Sequence, residues 1–116
     1  MTSNVCLTFD FDAMSVWFGY AKTTPAMLSR GEYGATVGVP RLLELLRRKN
    51  IKSTFFIPGH TIDSFPEPVY AILADGHEVA HHSYAHVDPS EQTPDEERID
   101  MERAFMALRR IGVEPQ

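Results

Sequence analysis

Apolar runs of strand length alternate with stretches of helical period along this chain, and that alternation restricts the possible fold more than any other feature. "NVCLTFDFD" (residues 4–12), "IKSTFFI" (51–57) and "HEVAH" (77–81) are short, apolar and bounded by turn residues, as buried strands are. Between the first two, Val39, Leu42, Leu43 and Leu46 recur at helical spacing, with Asn50 placed to end the helix. Val69, Ile72 and Leu73 share one face of a second helix that begins near Pro66 and stops at Gly76. A third helix is announced by Thr93 as N-cap, Pro94 at the first helical position and Glu96 as the partner of a capping box. Its expected apolar face is Met101, Phe105 and Leu108, with Ala104 and Ile111 beside it.

The order βαβαβα predicts an α/β fold with parallel strands, because parallel neighbours need a crossover and each helix supplies one. Residues 13–37, interrupted by Gly19, Pro25, Gly31 and Gly34, are expected to form an irregular loop. Its Trp17, Tyr20 and Tyr33 suit either a lid or a plain surface crossover. With 116 residues the chain holds one domain at most. Gly112 ends the last helix and Val113 reads as the approach to a further strand. A three-stranded parallel sheet with open edges is a poor final product, so the sequence reads as the first half of something larger.

A formal net charge of -5 and the lack of a Lys/Arg stripe argue against a nucleic-acid or anionic-membrane partner. The one basic cluster, Arg47, Arg48 and Lys49, falls where it complements the dipole of a helix end. A single cysteine, Cys6, excludes an internal disulfide, and within "VCLTF" it is expected to be a small buried hydrophobe. The start "MTSNVCLTFD" has neither the basic region of a signal peptide nor a membrane span, so a cytoplasmic location is expected.

In parallel α/β folds, functional residues collect at the carboxyl ends of the strands. Asp10 and Asp12 fall there after the first strand, His60 after the second, and His82 and His86 after the third. The aspartates are two residues apart and can share one side of an extended chain. Two close carboxylates resist joint ionisation unless a cation or donor sits between them. His82 and His86 are spaced to approach one ion, and two imidazoles with one carboxylate suit zinc, a similar divalent ion or non-haem Fe(II). His60 is expected in a turn or pocket wall, His77 at the opposite end of the sheet, and His81 in packing or in support of the ligands.

The segments "LTFDFDA", "RLLELLRRKNIKSTFFIPGHT", "FPEPVYAILADGHEVAHHSYAH" and the run into "GVEP" together resemble the polysaccharide deacetylase family, the NodB-homology domain. The resemblance spans nearly the whole chain. It implies a distorted (β/α) barrel with fewer than eight units, of which residues 1–116 would be the N-terminal part, ending before the family's third motif. It also implies hydrolysis of the carbon–nitrogen bond of N-acetyl groups on sugars. One branch acts on small cyclic amides instead, as metal-independent allantoinases and cyclic-imide hydrolases do.

By resemblance, Asp10 matches the catalytic base and Asp12 the metal-binding aspartate of "TFDFD", and His82 and His86 match the metal ligands of "HSYAH". The usual first motif has adjacent aspartates followed by glycine. Here Phe11 intervenes and Ala13 replaces the glycine, as in the intracellular peptidoglycan-deacetylase-like and allantoinase-like branch. Zinc is the expected metal, with cobalt, nickel or iron as alternatives. A saccharide or small amide is the expected substrate and a second copy of the chain the expected partner. Three readings stand: a metal-dependent deacetylase, a metal-free cyclic-amide hydrolase, and an inactive fragment that folds by oligomerising.

Overall fold

The computed structural model describes residues 1–20 and 22–115. Three parallel strands, β1 (Thr8–Asp10), β2 (Thr54–Ile57) and β3 (Glu78–His81), form one sheet in the order β1-β2-β3. Thr8 is level with Thr54, and Thr54 with Glu78. Among the described residues, five α-helices accompany them: α1 (Pro25–Tyr33), α2 (Val39–Lys49), α3 (Gly59–Ser64), α4 (Pro66–Ala74) and α5 (Pro94–Arg110). The α/β architecture expected from the alternation is present, with strands shorter than the apolar runs that contain them.

One face of the sheet is packed and the other open. On β2, Phe55 and Ile57 are buried while Thr54 and Phe56 between them are only partly covered, the period-two alternation of a one-sided sheet. The packed face meets Val39, Leu43 and Leu46 of α2, Val69 and Ile72 of α4, and Leu108 of α5. Each such side chain stabilises the fold by about 1.5–3 kcal/mol when fully buried. The outer edges of β1 and β3 pair with no other strand among the described residues.

α2 ends as its residues dictate. Asn50 takes the left-handed conformation (φ 52) and the Ile51 amide donates to the Leu46 carbonyl, over a last turn carrying Arg47, Arg48 and Lys49. α5 starts with the expected capping box, Thr93 and Glu96 each bonding the other's backbone.

Several expectations are corrected. The segment 13–37 is largely helical: a 3-10 turn at Ser15–Trp17 leads to α1, which passes through a π-helical turn at Gly34–Gly38 into α2. Thr24 caps α1 with Pro25 behind it, a start signal that outweighs the glycines. Gly31 is a packing residue: a Cβ there would lie 2.6 Å from the backbone of both Ala13 and Met14. The buried face of α5 is Asp100, Ala104, Ala107 and Leu108, whereas Met101 is exposed and Phe105 half-buried. The small alanines let α5 approach α3, a short helix hidden behind Pro58 and Gly59. Cys6 is exposed, because the strand ladder starts at Thr8 and residues 1–8 are all exposed.

Candidate metal centre

Asp12 lies two residues beyond β1, where the Phe11 amide still donates to the Phe56 carbonyl at 2.9 Å. Its own carbonyl accepts from the Thr61 hydroxyl at 2.6 Å, the Ser15 hydroxyl at 2.7 Å and the Ser15 amide at 3.0 Å. Ser15 and Thr61 are fully buried, so this anchor is shielded from water. Ala13 then turns the chain with φ 48, a conformation in which glycine is free and alanine is strained by about 1 kcal/mol.

His82 follows β3 directly and opens a tight loop through Ser83, Tyr84 and Ala85 to His86. Ser83 (φ 57) and His86 (φ 58) both occupy the left-handed region, so the loop stores strain of about 1 kcal/mol at each. Its backbone groups are matched from three sides. The Gly59 and His60 amides donate to the Ser83 and Tyr84 carbonyls at 3.0 and 2.9 Å. The His86 amide donates to the Ser83 hydroxyl at 3.1 Å, and the Tyr84 and Ala85 amides donate to Asp100 at 2.8 and 3.1 Å. Gly59 is required by contact: a Cβ there would lie 2.4 Å from the Tyr84 ring.

These two anchors bring Asp12, His82 and His86 together, each offering one ligand atom within 4.8 Å of the others. His82 Nε2 stands 3.4 Å from Asp12 Oδ1, and His86 Nε2 stands 3.7 Å from Oδ2. Asp12 Oδ1 and His82 Nε2 are buried and have no hydrogen-bond partner. Such atoms are costly unless something else satisfies them. Ligands about 2.0–2.2 Å from one tetrahedral ion stand roughly 3.3–3.6 Å apart, so the donor set and its spacing fit a zinc-sized cation. Burial pushes the Asp12 carboxyl above its ordinary pKa; His86 and His82 pull it back, and Asp10 adds repulsion.

Asp10 is exposed on the open face of the sheet, close enough to Asp12 to repel it. Two concavities that share Val16 flank the cluster. One, of about 480 Å³, is lined by Asp10, Asp12 and Arg30; the other, of about 630 Å³, by Tyr20, His82, His86 and Glu91. His60 is outside the cluster, in the first turn of α3 rather than in a turn or a cavity wall, its ring edge-on to Phe18 at 4.5 Å. His81 turns away to stack on Phe105 at 4.7 Å, while its Nδ1 accepts from the Ser83 amide at 3.3 Å. His77 is buried at the far end of the sheet, accepting from the Ser53 amide at 3.2 Å. Thr61, Ser15 and Asp100 escaped the sequence reading, since a buried hydroxyl or carboxylate inside a helical pattern carries no spacing signal. The polar Asp100 on the inner face of an otherwise amphipathic helix was the one available clue.

A parallel sheet with a His–His–Asp cluster at its carboxyl edge has the layout of a (β/α) barrel in which the active site crowns the strands. The sequence defines the class further: residues 2–116 match the profile of the polysaccharide deacetylase family, and the chain belongs to that family. It is 39% identical over 90 residues to a peptidoglycan deacetylase of Helicobacter pylori, a match covering 76% of this chain and 31% of that protein. A crystal structure described as a putative polysaccharide deacetylase from Mycobacterium smegmatis superposes with a TM-score of 0.84 at 41% identity, over 95% of this chain and 40% of the other. An allantoinase structure superposes with a TM-score of 0.84 at 22% identity, over 95% of this chain and 43% of the other, a likeness of fold alone. The chain thus spans about a third of the H. pylori relative's length. No helix among the described residues is long and apolar enough to cross a membrane.

Proposed function

We propose that this chain carries the base and metal-holding part of a metal-dependent amidohydrolase that removes acetyl groups from an N-acetylated sugar. The observation that carries this is the convergence of Asp12, His82 and His86 with two buried ligand atoms left unpartnered, in a member of a deacetylase family. Asp12, His82 and His86 would hold the ion, and zinc best matches two imidazoles and a carboxylate. Bound there, a divalent ion supplies Lewis acidity, polarising an amide carbonyl and making water a better nucleophile.

The roles proposed for the residues draw on their placement. Asp10, exposed beside the cluster, takes the proton of the water that attacks the acetyl carbon. The carbon–nitrogen bond then breaks, giving acetate and an amine that must gain a proton. The amides of Tyr84, Ala85 and His86 already donate to Asp100 and Ser83, so they do not serve the developing oxyanion. We place the oxyanion amide and the acid that protonates the amine outside these 116 residues. The open sheet face and the edges of β1 and β3 are covered by the segment that supplies them or, in the isolated chain, by a second copy. The unpartnered ligand atoms favour this reading over a metal-free cyclic-amide hydrolase, in which they would stay unsatisfied.

Acetate release from N-acetylglucosamine oligomers, with zinc and with a chelator, tests the proposal in two arms. The 116-residue chain alone is expected to bind zinc with little or no turnover. The same residues within a completed barrel are expected to release acetate, and Asp10→Asn there to keep zinc while losing about 10²–10⁴-fold in rate. Robust turnover by the isolated monomer, chelator-resistant release, or an unaffected Asp10→Asn would contradict it.

A further inference from the structure

Asp100 is a buried carboxyl group on a helix whose other acidic residues are exposed. It exposes only 9% of its surface, on the inner side of α5, and among the described residues no lysine or arginine forms an ion pair with it. Isolated buried carboxylates are strongly disfavoured, so its partners define its purpose. Those partners are two successive amides of the His82–His86 loop: Tyr84 on Oδ2 at 2.8 Å and Ala85 on Oδ1 at 3.1 Å. Consecutive amides converging on one anion form a nest, and here the anion is built into the protein.

The nest lies midway between the two histidines, in a loop whose Ser83 and His86 both sit in the left-handed region. A loop of that shape needs fixed partners to persist. Its other anchors act elsewhere: Gly59 and His60 hold carbonyls, and the Tyr84 side chain rests on Asp63 and beneath Arg103. Among the described residues, only Asp100 takes up the two mid-loop amides. We infer that Asp100 is a positioning residue, setting the separation and orientation of the His82 and His86 rings, which stand 5.0 Å apart at 75°. This rests on the proposed metal site, because its consequence is read as metal affinity.

The assignment predicts that Asp100 variants fold and lose affinity, since the remaining anchors keep the loop attached. Support around metal ligands typically contributes 10–100-fold in affinity. Zinc affinity of the 116-residue chain, measured by chelator competition, should fall by about 10-fold in Asp100→Asn and toward 100-fold in Asp100→Ala. Asp100→Glu, which keeps the charge, should recover part of the loss. Circular dichroism identifies the folded fraction, so that a loss of stability alone is separated from a loss of affinity. A folded Asp100→Asn that binds zinc as the unaltered chain does would overturn the inference. If the unaltered chain binds no zinc, the metal reading fails on its own, and hydrogen exchange still decides the nest. Slow exchange at the Tyr84 and Ala85 amides, accelerated in Asp100→Asn, supports it; exchange as fast as in an open loop refutes it.

Discussion

The two ends of the sheet each hold histidine, and among the described residues only the carboxyl end gathers a candidate metal site. At the amino end His77 is buried between β2 and β3 with its Nε2 unpartnered, as His82 Nε2 is at the carboxyl end. An orphaned imidazole nitrogen is therefore not enough. Around His77 stand Lys52 and Arg47, with Asp75 opposing them, and that field disfavours a cation. Around His82 stand a second imidazole and the carboxylate of Asp12, with Asp10 acting in turn on Asp12. Chemistry here depends on which charges the strand ends bring together.

Removing a ligand breaks this contrast most completely. Asp12→Ala or His86→Ala should abolish stoichiometric zinc binding, whereas His77→Gln should leave the stoichiometry unchanged; metal content after dialysis measures both. The next effect is on the layer that holds the two ends in one sheet. Leu43 is 1% exposed in the core, and Leu43→Ala should cost about 2–5 kcal/mol in chemical denaturation while the folded fraction keeps its zinc affinity. Smaller again is Thr61→Val, which removes one of three donors from the Asp12 carbonyl. It should weaken zinc binding by about tenfold, with Thr61→Ser restoring it.

The smallest effect belongs to the amino end and appears with pH. Burial, then Lys52, lower the pKa of His77 below its ordinary value, Asp75 opposing and Arg47 adding to the shift. The unfolded chain then binds the proton more readily than the folded one. Stability contributed by neutral His77 is present above about pH 6.5 and is lost as pH falls from there toward the folded pKa. The slope reaches at most about 1.4 kcal/mol per pH unit from this group. Because His60 and His81 are shifted downward as well, the informative quantity is the difference in slope between the unaltered chain and His77→Gln. An unchanged slope would show that His77 is not the group being charged.

The elements legible in the sequence were those whose signals are periodic or local. α2 was written in Val39, Leu42, Leu43 and Leu46, and the start of α5 in Thr93, Pro94 and Glu96. The positions of Asp12, His82 and His86 at strand ends followed from the alternation of elements, although their convergence is a property of three dimensions. What stayed hidden depends on close approach. Gly31 and Gly59 look like breakers in one dimension and are contact points in three, against Ala13 and Tyr84. Asp100 was masked because a carboxylate in a charged helix usually faces water. Its partners lie 15 and 16 residues away, across a turn whose path no residue pattern encodes.

Asp12, His82 and His86 are proposed to hold one divalent ion. Anomalous diffraction at the zinc edge, from crystals grown with zinc, tests it most directly. One strong peak is expected, bonded to Asp12, His82 Nε2 and His86 Nε2, with none at His77. A zinc-loaded crystal whose peak lies elsewhere, or a cluster left empty under saturating zinc, would contradict it.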